Sequence, residues 1–286
     1  MEGIVIKAIA GAFTVSDFDN KCEYICKARG KLAYSKDVIK VGEKVIIDEK
    51  EGVITKILPH KNSLIRPLVS NIDKMFVVTS VKEPDLNLYL LDKMIALYEY
   101  YDITPVLIFT KLDLLNDNSE LDKIISYYES IGYKVYCGQN KIFEEAVKNE
   151  VTGFVCCVSG QTGVGKSSYM NYLDPLFQRK TDEISDFLGR GKHTTRDATL
   201  FRYNGGWIAD TPGFGNIDFP KMEENDLTFL FKDFSGYTNC KYNNCLHINE
   251  PHCAIIEDVN NGKILKSRYE NYLRFIEEIR KMKTRY

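Results

Sequence analysis

Residues 160–167, Gly-Gln-Thr-Gly-Val-Gly-Lys-Ser, have the residue types and spacing of a loop that binds phosphate. The glycines let successive backbone N–H groups turn inward around phosphate oxygens, and a following helix adds partial positive charge. We expect Lys166 to reach the β- and γ-phosphates of a nucleotide and Ser167 to place its hydroxyl on Mg²⁺. The predicted nucleotide contacts of this phosphate loop are Gly160, Gln161, Thr162, Gly163, Val164, Gly165, Lys166, Ser167 and Ser168.

A tetrapeptide earlier in the chain, Thr110-Lys111-Leu112-Asp113, could select the base of that nucleotide. A carboxylate at Asp113 can accept hydrogen bonds from N1–H and the exocyclic amine of guanine, whereas adenine presents an acceptor at N1. Lys111 can lay its aliphatic stem over the base. Such a tetrapeptide can also start a helix, but it follows the apolar run TPVLIF, which is typical of a buried strand. We therefore expect this base motif to bind GTP in preference to ATP.

Two further segments place polar residues where the γ-phosphate and Mg²⁺ would lie. The sequence DTPG begins at Asp210 after the apolar run GGWIA and resembles the DxxG element of GTPases. Asp210 would orient Mg²⁺ through water, and the Gly213 N–H would sense the γ-phosphate. Upstream, the polar stretch GKHTTR offers Thr194 and Thr195, one of which should ligate Mg²⁺. The sequence does not distinguish between these two threonines.

The residue after Gly213 bears on how water would be activated. Ras-like enzymes place a glutamine there to orient the attacking water, but this chain has Phe214, whose ring cannot position a nucleophile. His193, beside the two threonines, is the nearest residue with a suitable ring nitrogen. It could instead contact a partner RNA or pack in an ordered loop. A catalytic role for His193 is therefore a hypothesis.

A cluster of cysteines late in the chain has metal-ligand spacing. Cys240, Cys245, His247 and Cys253 supply three thiolates and one imidazole, a set typical of a closed, structural Zn²⁺ site. Four ligands leave no open coordination position, so we expect one structural Zn²⁺ without a catalytic role. His252 competes with His247 but directly precedes Cys253, which would crowd the geometry. The alternative is a group of free buried cysteines.

The elements around these motifs divide the chain into three predicted domains. Residues 1–65 contain short alternating runs and glycine-bearing turns that favour an OB-type β-barrel, whose contact with nucleic acid the sequence leaves open. Residues 66–220 interleave Val- and Ile-rich runs with helical stretches, the pattern of a mainly parallel sheet in an α/β domain. Residues 221–286 hold the cysteine cluster and a terminal helix, which indicates a zinc-binding helical domain.

Composition limits the possible partners. Hydrophobic residues make up 44% of the chain and the net charge is −2, so any surface that binds a polyanion must be local. The last 26 residues carry eight basic and three acidic side chains, a surplus that favours a contact with a phosphate backbone over a merely solvated helix face. No apolar run approaches the length of a membrane span, and no signal peptide is evident at the start. We expect a soluble, cytoplasmic protein that does not bind membranes.

The order of the motifs is unusual, because the base motif precedes the phosphate loop, which precedes GKHTTR and DTPG. In Ras-like GTPases the base motif comes last. The same sheet can be built from the observed order only if the chain is circularly permuted, which proteins tolerate where their termini lie exposed. A permuted P-loop GTPase domain therefore accounts for the order. A P-loop kinase would need an acceptor site and a lid that the sequence does not indicate.

With GQTGVGKSS, GRGKHTTRD and the cysteine spacing, the chain resembles the family called ribosome small subunit-dependent GTPase A over nearly its whole length. The resemblance implies an OB barrel, a permuted G domain and a zinc domain. It also implies GTP hydrolysis stimulated by the small (30S) ribosomal subunit and its 16S rRNA, a role late in that subunit's maturation, and release on hydrolysis. We expect a monomer. The alternative is a nucleotide-gated RNA-binding assembly factor in which hydrolysis is incidental.

Overall fold

The computed structural model describes residues 1–18, 21–30, 32, 39–64, 67–138, 141–173, 198–210, 217–237 and 240–283. Residues outside these ranges are not described, and neither are the side chains of residues 141–143, 172 and 210. Within the described ranges the strands join into one sheet of eleven strands, which includes a closed barrel at one end. None of the helices found there has the length and apolar character needed to cross a membrane.

The amino-terminal strands form the barrel that the sequence predicts. The strands are β1 (Glu2–Ile9), β2 (Ala12–Ser16), β3 (Glu23–Ala28), β4 (Lys44–Asp48) and β5 (Val53–Ile57). They pair in the order β1-β2-β3-β5-β4, and β4 returns to β1, which closes the barrel. Alternation along the strands sends Val5, Val15 and Ile54 into its interior, where Cys26 packs as a small apolar residue. The closed, five-stranded arrangement agrees with an OB-like barrel.

The central part of the chain forms a mainly parallel sheet. Its strands are β6 (Lys74–Ser80), β7 (Thr104–Thr110), β8 (Lys134–Cys137), β9 (Val155–Ser159), β10 (Thr199–Tyr203) and β11 (Gly206–Asp210). They lie in the order β10-β11-β9-β6-β7-β8, and β10 is antiparallel to β11. The Val- and Ile-rich runs of the sequence do not predict β10, because TLFRY contains Thr199 and Arg202 and is not a continuous apolar run. β10 also joins the barrel, through Lys7 and Thr199 of β1 and β10.

Helices follow the strands and cover both faces of this sheet. They are α1 (Leu88–Tyr100), α2 (Ser119–Ser130), α3 (Lys141–Val151) and α4 (Lys166–Leu173). Asn87 caps α1 by accepting a hydrogen bond from the Leu90 N–H at 3.0 Å, so the helix begins at Leu88. Met94 and Leu107 belong to the core on one face of the sheet, and Tyr169 and Ile208 belong to the core on the other.

The carboxyl-terminal part is helical and has a core of its own. Its helices are α5 (Glu224–Phe229), α6 (Ala254–Asn260) and α7 (Lys266–Lys283). Tyr269, Tyr272, Ile276 and Ile279 recur at helical spacing on α7 and are buried against Phe231 and the cysteine cluster. The same core takes in Ala96 of α1, so the terminal helices pack directly on the central domain. The domain boundaries at 65/66 and 220/221 stay predictions.

Candidate functional site

The strand order places the phosphate loop and the base motif at one edge of the sheet. β9 ends at Ser159 and leads into the loop, and β7 ends at Thr110 and leads into the base motif. Only β6 lies between these two parallel strands. The chain continues outward from β6 in one direction and from β9 in the other, which makes this edge a topological switch point. Open α/β sheets bind their ligands at such points, beyond the carboxyl ends of the strands.

The phosphate loop depends on glycine for its backbone path. Gly163 and Gly165 have φ values of 85° and 93°, in a region that L side chains rarely adopt. Gly160, at φ 148°, passes so close to β6 that a Cβ atom would lie 2.1 Å from the Val78 carbonyl oxygen. A side chain at residue 160 would therefore push the loop away from the sheet.

Lys166 begins α4 and turns back over the loop. Its Nζ donates hydrogen bonds to the carbonyl oxygens of Gly160 at 2.9 Å and Gln161 at 2.7 Å. Ser167 and Ser168 follow in the first turn of α4 and are exposed. The ammonium group and the open helix N-terminus thus lie together, as the binding of a polyphosphate requires.

Two direct contacts join the base motif to the phosphate loop. The Thr110 Oγ1 lies 2.7 Å from the Val164 carbonyl oxygen and 3.2 Å from that of Thr79, and it donates to this pair of acceptors. The Lys111 Nζ donates to the Gly163 carbonyl at 3.0 Å and also to the carbonyl of Glu83. The motifs that the sequence separates by about fifty residues are therefore in direct contact. The contribution of Glu83 was not identified from the sequence, because its backbone oxygen carries no residue-type signal.

Asp113 lies in the short 3₁₀ turn that follows β7, and its side chain is exposed. Lys111, just before this turn, adopts a left-handed conformation with φ 61°, which redirects the chain after the strand. Among the described residues the Asp113 carboxylate takes part in no hydrogen bond or ion pair, so both of its oxygens are open to a base. Leu112, between them, packs partly against the core beneath the sheet.

The remaining predicted nucleotide and magnesium residues are only partly placed. Asp210 is the last residue of β11, and its backbone pairs with Val158 of β9, next to the start of the phosphate loop. Gly213, His193, Thr194 and Thr195 lie outside the described residues. Their predicted roles stay predictions.

The four predicted metal ligands lie together in the carboxyl-terminal core. The ligand atoms of Cys240, Cys245, His247 and Cys253 all lie within 4.8 Å of one another. The Cys240 and Cys253 sulfurs are 3.9 Å apart, and the His247 Nδ1 is 3.2 Å from the Cys253 sulfur. Two thiolates on a tetrahedral Zn²⁺ with bonds of about 2.3 Å would be separated by about 3.8 Å. The donor set and its spacing therefore fit a structural metal ion.

Neighbouring backbone contacts hold the metal cluster in shape. Tyr269 of α7 donates its hydroxyl to the His247 carbonyl at 2.7 Å. The Glu250 carboxylate accepts hydrogen bonds from the N–H groups of Leu246 at 2.9 Å and Ile248 at 2.7 Å, which folds the chain around His247. These bonds hold the Glu250 carboxyl pKa below its usual value, although burial acts in the opposite direction. His252 is exposed and does not belong to the group.

A buried ion pair links this terminal part to the central domain. Arg268 of α7, 1% exposed, donates from Nη1 to Asp92 of α1 at 2.6 Å and from Nε to both carboxylate oxygens of Asp233 at 2.9 Å. Tyr128 and Asn271 also donate to Asp92, at 2.6 and 2.7 Å. Burial raises the pKa of Asp92 even though these three donors act to lower it. Burial would lower the pKa of Arg268, but Asp233 and Asp92 outweigh it and raise that pKa well above its usual value.

The basic surplus of the terminal helix is largely used within the protein. Arg268 is buried. Arg280 pairs with Glu224, the first residue of α5, and Lys283 pairs with Glu223, which directly precedes that helix. Arg274 lies over the ring of Tyr89, 3.9 Å from its centroid. The sequence surplus therefore overstates the positive charge that this helix presents to a polyanion, because pairing between elements is not visible in a count along one segment.

Comparison with known proteins now identifies the family. Residues 57–220, more than half of the chain, match the family described as RsgA GTPase. The chain belongs to the RsgA GTPase family. It is 42% identical over 288 residues to the small ribosomal subunit biogenesis GTPase RsgA of Malacoplasma penetrans (strain HF-2), covering 98% of this chain and 100% of that protein. It is 37% identical over 297 residues to the protein of that name from Bacillus subtilis (strain 168), covering 100% and 99%.

Two solved structures share the fold. YjeQ from Thermotoga maritima is 34% identical, with a TM-score of 0.81 over 97% of this chain and 98% of that one. YloQ, described as a circularly permuted GTPase, is 32% identical, with a TM-score of 0.79 over 98% and 95%. Membership in the RsgA family makes this chain a GTP-hydrolysing P-loop enzyme with a permuted GTPase domain, which confirms the interpretation of its motif order.

Proposed function

We propose that this chain binds the small ribosomal subunit, assists a late step in its maturation, and uses GTP hydrolysis to time its release. The observation that carries the proposal is the full-length similarity to relatives named small ribosomal subunit biogenesis GTPase RsgA. The contacts that join the base motif to the phosphate loop support the nucleotide half of this function. The partner RNA is 16S rRNA, and the protein acts as a cytoplasmic monomer.

Within this proposal each part of the nucleotide site has a role. Asp113 recognises guanine, Lys111 covers the base, and Thr110 holds the phosphate loop in register through Val164. Lys166 and the N–H groups of the loop bind the β- and γ-phosphates. Mg²⁺ neutralises those phosphates when bound, and Ser167, Asp210 and one of Thr194 and Thr195 would hold it. His193 orients the attacking water, and Gly213 senses the γ-phosphate.

The proposal assigns Zn²⁺ to the cysteine cluster, with a structural role. Purified protein should contain about one zinc per chain by elemental analysis, and Cys253→Ser should lose it and become more sensitive to limited proteolysis after residue 220. Metal binding and folding are coupled in small domains of this kind, so loss of the ion loosens the core around α7. Cys22→Ser, at an exposed cysteine outside the cluster, should keep its zinc. Full zinc retention in Cys253→Ser would contradict the assignment.

The proposed function predicts that hydrolysis depends on the partner. Purified small subunits should raise the rate of GTP hydrolysis strongly, whereas naked RNA should not, and ATP should be hydrolysed slowly in both cases. Slow intrinsic turnover is expected because Phe214 cannot orient water in place of a glutamine. Lys166→Ala serves as the inactive control. GTP and GDP forms with equal affinity for RNA, together with no stimulation by subunits, would favour an assembly factor in which hydrolysis is incidental.

The same assay tests the role of His193. In single turnover with small subunits present, His193→Ala should slow hydrolysis by about 10²- to 10⁴-fold, the usual contribution of one acid–base group, while GTP binding is unchanged. Unchanged hydrolysis with intact GTP binding would remove His193 from the mechanism and would leave the subunit-dependent function standing.

A further inference from the structure

A pocket of about 540 Å³ opens beside the metal cluster, and its described lining residues come from α5, the segment after it and the cluster itself. Helix α5, the turn at residues 235–237 and the loop at residues 242–244 line it, and Cys240, Cys245 and His247 form part of its floor. Its volume lies within the range of small-ligand sites in proteins, about 300–1,000 Å³. None of its described lining residues belongs to the phosphate loop or the base motif.

Two aromatic rings are exposed at this pocket. Phe229, at the end of α5, is 81% exposed, and Tyr242 is 42% exposed. Phe231 and Phe234, which follow Phe229 closely in the chain, are buried in the core, so the apolar interior could accept aromatic side chains from this segment. Phe229 instead presents its ring to solvent, where an apolar surface costs free energy unless a partner covers it.

Part of the polar lining consists of neutral side-chain amides. Asn225, Asn243 and Asn244 line the pocket, and in the described part of the chain their amides take part in no hydrogen bond. Among the described residues, none with a carboxylate side chain and no valine, leucine, isoleucine or methionine lines the pocket. The nearby acidic groups are already engaged, because Glu223 and Glu224 pair with Lys283 and Arg280.

A cation stands next to the aromatic surface. The Lys241 Nζ lies 5.7 Å from the centroid of the Tyr242 ring, and Lys241 is exposed. It forms no ion pair with any described residue. The pocket therefore combines stacking surfaces with amides that can both donate and accept, and the positive charge of Lys241 lies beside the Tyr242 ring.

This combination matches the chemistry of an unpaired nucleotide. Nucleobases stack on aromatic side chains, their edges pair with amides, and their phosphates attract lysine. A groove for an apolar peptide segment would instead be expected to carry leucine, isoleucine or methionine, and none of these is among the described residues that line the pocket. We propose that Phe229 and Tyr242 stack an unpaired base of the small-subunit RNA, with the asparagine amides at its edge and Lys241 at its phosphate. This inference rests on the proposed function.

Affinity for small subunits tests the stacking. With a non-hydrolysable GTP analogue bound, Phe229→Ala, Phe229→Leu and Tyr242→Ala should each weaken binding roughly 5- to 150-fold, the loss expected for one stacked base. Intrinsic GTP binding should not change. Tyr100→Ala, at a 38% exposed tyrosine on α1, is the matched control and should bind subunits normally. Phe229 is largely exposed, so its substitution removes little internal packing.

The leucine variant separates RNA from protein as the occupant. If Phe229→Leu binds subunits as the wild type does while Phe229→Ala does not, the pocket is an apolar docking surface for a ribosomal protein, and the proposal is overturned. Unchanged binding by Phe229→Ala also overturns it. Normal zinc content in each variant confirms that the neighbouring cluster has not been lost.

A second measurement does not depend on subunit binding. Tyr242→Trp places a fluorescent ring in the pocket, and a short mixed-sequence single-stranded RNA should quench it, whereas the single native tryptophan, Trp207, is buried and gives a constant background. Absence of quenching by both RNA and small subunits overturns the stacking proposal. If the wild type fails to bind subunits but Tyr242→Trp is still quenched by RNA, the proposed function fails and the stacking site stands.

Discussion

Asp113→Asn should lower the affinity for GTP by about 10²- to 10⁴-fold and raise the affinity for xanthosine triphosphate. The carboxylate can accept two hydrogen bonds from guanine, each worth about 1.5–3 kcal/mol because the acceptor is charged, and the amide cannot accept both. Xanthine presents a carbonyl where guanine has its amine, so the amide can donate to it. Isothermal titration with both nucleotides measures the change.

Asp117→Asn is the control for the loss of a negative charge near the base. Asp117 lies four residues further along the same exposed segment, where its carboxylate accepts hydrogen bonds from the Ser119 N–H and hydroxyl, both at 2.9 Å. It should bind GTP as the wild type does. An Asp113→Asn protein that keeps its GTP affinity, or that loses GTP without gaining xanthosine triphosphate, would show that Asp113 does not read the base.

Arg268→Met should destabilise the protein by about 3–5 kcal/mol, because it leaves the buried carboxylates of Asp92 and Asp233 without their shared cation. Arg268 joins α7 to α1, so its loss should also uncouple the terminal helices from the central sheet. Urea unfolding followed by circular dichroism and by Trp207 fluorescence measures both effects. Circular dichroism reports mainly on the helices, and Trp207 reports on β11.

The loss of folding stability in Arg268→Met should depend on pH. The pKa of Asp92 is already raised in the folded protein by burial, and removing Arg268 raises it further. A carboxyl with a raised folded pKa favours the folded state while it is protonated, and that contribution is lost as the pH rises through the folded pKa. The destabilisation should therefore be larger at pH 8 than at pH 5 and should shrink further as the pH approaches 4.

Arg280→Met is the matched control on the same helix. Arg280 also pairs with a carboxylate, that of Glu224, at 2.7 Å, but its side chain is 49% exposed. Exposed pairs contribute about 0–1 kcal/mol, so this variant should unfold nearly as the wild type does, with little change between pH 5 and pH 8. Equal losses in the two variants would show that burial of the pair at Arg268 has no special weight.

In the terminal helix, the sequence pattern indicates which residues are buried but not which charges are free. Its apolar residues recur at helical spacing, as a buried helix face requires, and Tyr272 and Ile276 are buried on α7. The charge count in the same residues suggested a free basic surface, but Arg268 belongs to the buried face as well. A buried cation needs carboxylates from other elements to pair with it. Asp92 and Asp233, which pair with Arg268, precede it in the chain by 176 and 35 residues.

The candidate sites also combine features that the sequence predicts with features that only the structure shows. Residue type and spacing predict the phosphate loop, the base motif and the metal ligands, because each depends on local geometry that a few fixed residues impose. The order of these motifs along the chain indicates the permuted domain. Only the tertiary structure decided that Thr110 and Lys111 hold the loop through Val164 and Gly163, that a backbone oxygen of Glu83 takes part, and that Phe229 faces solvent. Contacts with backbone atoms and contacts between distant elements do not depend on residue type alone. They are therefore visible only in the folded structure.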